Sequence, residues 1–291
     1  MPNLKDIRNR ISAVKKTKQI TSAMKLVAGA KLKKATERAL AARPYRERLS
    51  EVLQRVGANA GDEVEEPLLQ SRDEIRRILV VVLSSDRGLA GGFNNNLLRK
   101  ATFWLKDKRE AGTEVDIRVF GRKAQAYFKR LDRPLQDAVV NYGKTETMEL
   151  VRPLASTMVS QFVDGEVDEV YVVYNRFVSA LAQVPTFERV LPLSVEASEA
   201  DATPTDSATH RYEPNASEIL GALLPLYLQT LVLSAFLETI AGELAARMTA
   251  MDSATRNASD LIDQLSLDYN RARQAAITTE IIEIVSGAAA L

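Results

Sequence analysis

A repeat with alternating spacings of three and four residues runs through the last part of this sequence. It comprises Leu244, Met248, Met251, Thr255, Ala258, Ile262, Leu265, Tyr269, Ala272 and Ala276. Side chains with this spacing share one stripe of a helix, and a repeat sustained over this length predicts a coiled coil. Its small members suit the close approach of a partner helix. The fold must therefore provide a second long helix.

We predict that partner at the N-terminus, where strong helix formers dominate from Leu4 to about Gly57. The apolar stripe there consists of Leu4, Ile7, Ile11 and Val14, and then, in a shifted register, of Ile20, Met24 and Val27. Proline lacks the amide hydrogen that a helix interior needs. We therefore expect one long helix that is broken or kinked near Pro44.

The charges of the two terminal segments favour their pairing as an antiparallel coiled coil. Residues 1–48 contain fourteen Lys or Arg against three acidic residues, whereas residues 215–291 contain nine Asp or Glu against four Arg. Opposite net charges attract each other. Because the C-terminal helix is the longer one, we expect its apolar end, TTEIIEIVSGAAAL, to extend beyond the N-terminal helix.

Between the terminal helices, the sequence alternates between strand and helix patterns. Strand patterns at 78–85, 116–120, 170–177 and 184–193 are interleaved with helix patterns, which predicts a Rossmann-like α/β domain. Residues 196–210 are polar and acidic, as in a flexible loop. The predicted organisation is a helix at 1–58, an α/β domain at 75–195 and a helix at 212–291, the two helices pairing as one coiled coil.

The composition excludes several kinds of chemistry. The chain has no cysteine and one histidine, so disulfides, thiol catalysis and clusters of thiolate or imidazole metal ligands are not expected. No pair of catalytic carboxylates and no Ser/His/Asp set is apparent. The first residues, MPNLKDIRNRI, resemble neither a signal peptide nor a transit peptide. We expect no catalytic residue, metal or cofactor, and a cytosolic starting point.

Two segments look like nucleotide-binding loops. SSDRGLAGGFNNN, at 84–96, follows a strand and precedes a helix, where a phosphate could bind, but its glycines do not fit G-x-G-x-x-G. We interpret it as a turn in which glycine meets a backbone requirement. The GKT at 143–145 lacks the first glycine of a P-loop. A nucleotide-binding α/β enzyme remains an alternative function.

Two further segments suggest a membrane span or a nucleic-acid-binding surface. Residues 219–237 carry no charge and are long enough to cross a bilayer, but Pro225 and the polar residues within this segment favour burial by protein. The lysine-rich N-terminal arm could bind phosphates, which keeps a basic, nucleic-acid-binding coiled coil as a second alternative. Its single aromatic residue, Tyr45, does not indicate base stacking.

Three stretches together resemble the gamma subunit family of the F-type ATP synthase. They are LKDIRNRISAVKKTKQITSAMKLVAGAKLKKA near the N-terminus, SSDRGLAGGFNNN, and AARMTAMDSATRNASDLIDQLSLDYNRARQAAITTEIIEIVSGAAA near the C-terminus. The resemblance implies a non-catalytic rotor shaft that couples rotation of the c-subunit ring to conformational changes in the catalytic beta subunits. It also implies alpha, beta, epsilon and c-ring partners, and a peripheral position on the cytoplasmic side of a bacterial membrane.

The resemblance also implies roles for individual residues. Contact with a beta subunit is expected from Met24, Arg247, Gln274, Thr278 and Glu280, and a role in coupling from Glu283. An apolar bearing at the tip is expected from Ile281, Ile284, Val285 and Leu291. A foot that meets epsilon and the c ring is expected from Tyr212 and Glu213. For each residue, coiled-coil packing or a solvated surface position is the alternative.

Overall fold

Two long helices and a five-stranded sheet form the structure, a computed structural model that describes residues 4–60, 66–194 and 215–289. The elements in chain order are α1 (Leu4–Ala60), a 3-10 helix (Pro67–Leu69), β1 (Arg77–Leu83), α2 (Phe93–Glu110), β2 (Glu114–Phe120), α3 (Arg122–Arg130), β3 (Asp137–Val139), a 3-10 helix (Tyr142–Lys144), α4 (Thr147–Val163), β4 (Glu169–Phe177), β5 (Gln183–Leu191) and α5 (Ala216–Ala289).

The chain divides into two compact units, each of which includes part of α1 and part of α5. Met1–Ala30 and Arg247–Leu291 form one, the coiled-coil unit. Lys31–Ala246 forms the other, the sheet unit.

In the sheet unit, the strands are arranged in the order β3-β2-β1-β4-β5. β1 to β4 are parallel, and β5 runs antiparallel to β4 at the edge. Helices connect the parallel strands, as crossovers of this kind require. The predicted α/β fold with a coiled coil is confirmed. β3 was not predicted, because three residues are too few to show a periodic pattern.

The central strand β1 is buried on both faces of the sheet. Its odd-numbered residues from Leu79 to Leu83 belong to a core with α4 and parts of α1 and α5. Its even-numbered residues from Ile78 to Val82 belong to a second core with α2 and α3. Because successive side chains of a strand point to opposite faces, one apolar strand serves two layers of helices.

The uncharged stretch at 219–237 contributes to the first of these cores. Leu220, Leu224, Leu228, Val232 and Phe236 are each at most 1% exposed. By length and composition alone α5 could cross a membrane, yet half of its most apolar window is buried within the protein. The core therefore accounts for the apolar character of this stretch.

The sequence predicted that Pro44 would break or kink helix α1. The break is absent, because α1 continues through Pro44 as one helix. Helix α5 also continues through Pro225 and Gly242. A proline inside a helix costs about 3 kcal/mol. In α1 the turns on either side of Pro44 are held by the buried residues Ala39 and Leu49. Tertiary packing of these turns offsets the local cost.

Hydrogen bonds and an ion pair fix α1 and α5 to the last two strands within the sheet unit. Arg46 of α1 donates to Glu188 of β5 at 2.8 Å, and the Tyr174 hydroxyl of β4 donates to the same carboxylate at 2.8 Å. Glu238 of α5 accepts the backbone N–H of Phe177 at 3.1 Å. Burial raises the pKa of Glu238. Both long helices are thus attached to the sheet by directional contacts as well as by the apolar core.

Candidate functional site

The coiled-coil unit consists of the first part of α1 and the last part of α5, which run antiparallel. The register follows from three contacts: Arg8 Nη2 donates to Tyr269 Oη at 2.7 Å, Lys18 Nζ to Ser259 Oγ at 2.6 Å, and Lys25 Nζ to Asp252 Oδ1 at 2.6 Å. A step forward on α1 is matched by a step backward on α5. The antiparallel coiled coil predicted from the sequence is therefore present.

On α5, the residues of the predicted repeat that belong to this unit are all buried or half-buried. Met251, Ala258 and Leu265 are buried, and the members between them are half-buried. On α1, Ile7 is buried, and Leu4, Ile11 and Val14 are half-buried. This part of the seam is apolar, as coiled-coil packing requires.

Beyond Val14 the seam becomes polar, and the predicted shifted register is wrong. The original spacing continues through Lys18, Thr21, Lys25 and Ala28, which are buried or half-buried. Thr21 and Thr255 share a hydrogen bond of 2.8 Å across the seam. Ile20 and Val27, which were assigned to the seam, are 60% and 57% exposed.

The prediction failed here because it followed apolar residues alone. Continuing the strict spacing past Val14 would have identified Lys18, Thr21 and Lys25. In an antiparallel alignment of the two helices, these residues lie opposite polar residues of α5 that can bond to them. This match between polar side chains was the signal that the sequence offered.

Helix α5 extends beyond the described part of α1, as expected. With the observed register, Leu4 lies level with residues 272 and 273, which leaves residues 274–289 without a described partner helix. At a rise of 1.5 Å per residue this overhang is about 24 Å long. Ile281, Ile284 and Val285 are 55%, 71% and 61% exposed, and the neighbouring Ile282 is also exposed. Leu291 lies outside the described residues.

We expect removal of the overhang to leave the stability of the folded chain nearly unchanged. Deleting residues 281–291 removes the exposed side chains at 281–286, so the free energy of unfolding should change by less than about 0.5 kcal/mol. Deleting residues 269–291 also removes Tyr269 and its bond to Arg8, and should cost about 2 kcal/mol. Urea unfolding followed by circular dichroism measures both effects. Equal losses in the two truncated chains would contradict the observed register.

The residues expected to contact a beta subunit do not form one compact site. Arg247 is half-buried at the start of this unit's segment of α5, whereas Gln274 is exposed near its end. Gln274 follows Arg247 by 27 residues, which corresponds to about 40 Å along the helix. Met24 is half-buried on α1. These side chains could serve an elongated surface along the helix pair but not a single pocket.

The remaining predicted residues of the C-terminal segment lie on the surface of the overhang. The Thr278 hydroxyl donates to the backbone carbonyl of Gln274 at 2.9 Å, a bond local to the helix. Glu280 and Glu283 are exposed. Tyr212 and Glu213 lie outside the described residues.

A hydrogen bond from Lys25 lowers the pKa of Asp252 below its usual value, and the charges of Arg256 and Lys25 act in the same direction. Asp252 therefore stabilises the folded chain most above its unfolded pKa of about 3.9. That stabilisation is lost as the pH falls through the lower pKa that Asp252 has in the folded chain.

We expect Asp252→Asn to destabilise the chain at pH 7, and the difference in stability between the variant and the parent to shrink below about pH 4. Urea titrations at several pH values test this, with Asp260→Asn as the exposed control. A difference independent of pH would contradict it.

Polar groups of the glycine-rich turn at 84–96 bond to each other and to backbone N–H groups outside the turn. The side chain of Asn94 accepts the backbone N–H of Ser85 at 3.0 Å. Asp86 accepts the backbone N–H of Arg122 at 3.1 Å and that of Asn141 at 2.7 Å. These contacts join the carboxyl ends of neighbouring strands to α2 and α3. The geometry supports the interpretation as a structural turn, and the described residues contain no cluster of side chains that could hold a metal.

A close backbone contact explains one glycine beside this turn. Gly121 has a φ of +100°, and a Cβ atom built there would lie 2.5 Å from the carbonyl oxygen of Ser84. The Tyr142 hydroxyl donates to the same oxygen at 2.5 Å, and burial raises the pKa of Tyr142. The end of β1 is thus packed too closely for any side chain at position 121.

Comparison with known proteins gives consistent results. A family model described as ATP synthase matches residues 3–291. The ATP synthase gamma chains of Pelotomaculum thermopropionicum and Paracoccus denitrificans are 44% and 45% identical to this chain, and each alignment covers 100% of both sequences. A chain from the OSCP/F1/c-ring structure of Euglena gracilis mitochondrial ATP synthase has a TM-score of 0.66 at 19% identity, with 99% of this chain and 94% of that chain covered. It shares the fold.

Proposed function

Since the chain belongs to the ATP synthase gamma chain family, it is the central, non-catalytic rotor subunit of such a complex, and we propose which of its surfaces meet the other subunits. The observation that carries the proposal is the coiled-coil unit, with its covered seam and the exposed apolar overhang of α5. Family membership confirms the resemblance found in the sequence.

We assign the surface of the coiled-coil unit to the alpha and beta subunits. Met24, Arg247, Gln274, Thr278 and Glu280 lie along about 50 Å of helix, which suits contact with a surrounding ring better than binding of a small ligand. A shaft with the same side chains on every face could not favour different states in different beta subunits. Because these side chains differ in chemistry and are spread along the helix pair, the beta subunits around the shaft would meet different surfaces, which is the differential contact that a population shift requires.

We assign the overhang of α5 to an apolar collar formed by the alpha and beta subunits. Four large aliphatic side chains, at 281, 282, 284 and 285, are exposed on a single helix. Exposed apolar surface of this kind is typical of a contact site. Apolar contacts lack directional bonds, so a shaft can turn within them without breaking an ion pair at each step. Glu283 would face the same collar and take part in coupling.

The proposed contacts with the epsilon subunit and the c ring are supported by the resemblance to the gamma subunit family. Tyr212 and Glu213 would form the foot that meets the epsilon subunit and the c ring, without a membrane span of this chain. The assembly would place the chain on the cytoplasmic side of a bacterial membrane, as a peripheral component.

Co-purification tests the proposed partners. An affinity tag on this chain, co-expressed with the other subunits, should recover alpha and beta subunits at one copy of this chain per hexamer. A chain that remains alone when all partners are present would refute the assignment. Calorimetric titration of the isolated chain with ATP should show no heat of binding, because polar groups of the turn at 84–96 already bond to each other and to backbone N–H groups outside the turn.

A further inference from the structure

In the segment of α1 between Lys18 and Ala28, polar side chains face the partner helix and apolar side chains face outward, which is the reverse of what is expected of a coiled coil. Lys18, Thr21 and Lys25 face α5, and each makes a hydrogen bond across the seam. On the outer side, Ile20, Leu26 and Val27 are between 57% and 70% exposed. Burial of apolar side chains alone would turn the other face of this segment toward α5.

An alternative arrangement is available to the same sequence. After Val14, residue 17, Ile20, Met24 and Val27 follow the same spacing as the observed Lys18, Thr21, Lys25 and Ala28, one residue earlier. Turning this stripe toward α5 would rotate the segment by about 100° around its own axis, the angle between successive residues of a helix. This rotation would bring Ile20 and Val27 into the seam and release the polar side chains to solvent. The apolar layers at Ile7 and Ile11 are compatible with both arrangements.

We propose that Lys18, Thr21 and Lys25 are positioning residues that hold the rotational phase of α1 and keep Ile20, Leu26 and Val27 at the surface. Each has a partner of matching chemistry on α5: Ser259, Thr255 and Asp252. Rotating the segment would lose all three bonds together. A polar contact in a coiled-coil seam commonly selects one arrangement at some cost in stability.

The experiment uses the absence of cysteine from the natural chain, which allows single thiols to report exposure. Val27→Cys and Ala28→Cys are made separately in the full-length chain, because Val27 is 57% and Ala28 is 2% exposed. The rate of maleimide labelling at position 27 should greatly exceed that at position 28. The ratio of the two rates reports which face of α1 is turned outward.

Each reporter is then combined with Lys18→Ala, Thr21→Ala and Lys25→Ala, which remove the three bonds and retain helix propensity. We expect the ratio of rates to fall by about tenfold, because each bond that involves a charged group contributes substantially to the preference. The matched control is Lys18→Arg, Thr21→Ser and Lys25→Arg, which retains the donors and should retain the ratio. Circular dichroism confirms helix content.

Two results would overturn the proposal. An unchanged ratio in the folded triple alanine chain would show that other contacts set the phase of α1. Fast labelling at both positions would show that the three bonds hold the helices together and do not select a face. The test measures side-chain exposure in the isolated chain, so its outcome does not depend on the subunit contacts proposed above.

Discussion

Gly121→Ala should destabilise the sheet unit by about 4 kcal/mol, through backbone strain and overpacking together. The φ of +100° is unfavourable for alanine, and the new methyl group would lie 2.5 Å from the Ser84 carbonyl oxygen. That oxygen belongs to the backbone of the residue that directly follows β1, the central strand of the sheet. It cannot move aside as the end of a flexible side chain could.

Gly112→Ala provides the matched control for this prediction. Gly112 has a φ of +90°, but a Cβ atom there would have nothing within 4 Å. It therefore carries the backbone strain without the steric contact, and should cost about 1–2 kcal/mol. Urea unfolding of both variants and the parent, followed by circular dichroism, separates the two contributions. Equal losses at positions 112 and 121 would show that the contact with Ser84 has no consequence.

Arg247→Ala should reduce ATP hydrolysis by the assembled complex about tenfold while leaving the helix content of the chain unchanged. Arginine presents a planar set of donors that can bind a carboxylate through two bonds, which alanine cannot replace. Arg247 is half-buried, so part of its side chain is exposed at the surface of the chain. The measurement is the steady-state ATPase rate of complexes that contain equal amounts of this chain.

Arg256→Ala is the matched control for Arg247→Ala. Arg256 lies on the same helix and its side chain is 71% exposed, where it makes an ion pair with Asp252 one turn away. An exposed surface pair of this kind contributes little to stability, because solvent screens its charges. The two variants should therefore differ strongly in ATPase rate and little in stability. Equal rates would remove Arg247 from the proposed contact with a beta subunit.

The coiled coil could be predicted wherever apolar residues define its seam. The repeat from Met248 to Ala272 and the first turns of α1 needed only periodicity, and both are found at the interface. The middle of α1 could not be predicted in that way, because Lys18, Thr21 and Lys25 occupy seam positions through hydrogen bonds. Local patterns carry no information about a partner that lies far away in the sequence.

Other parts of the fold were missed for physical reasons of different kinds. Pro44 was expected to break or kink α1, and the break is absent, because the cost of a proline is local whereas the packing that offsets it is tertiary. Strand β3 has three residues, too few to show an alternating pattern. The proposed roles of Arg247, Gln274 and the tip depend on other subunits. Sequence periodicity alone therefore could not assign those roles.

The two helices of the coiled coil lie far apart in the sequence, which affects how the protein folds during its synthesis. Arg8 and Tyr269 are separated by 261 residues. A ribosome that adds 5–20 residues per second would take roughly 13–50 s to reach the second residue after the first. Throughout that time the stripe of Ile7, Ile11 and Val14 has no partner from its own chain. The many lysines and arginines of the same segment then help to keep the nascent helix soluble until α5 is synthesised.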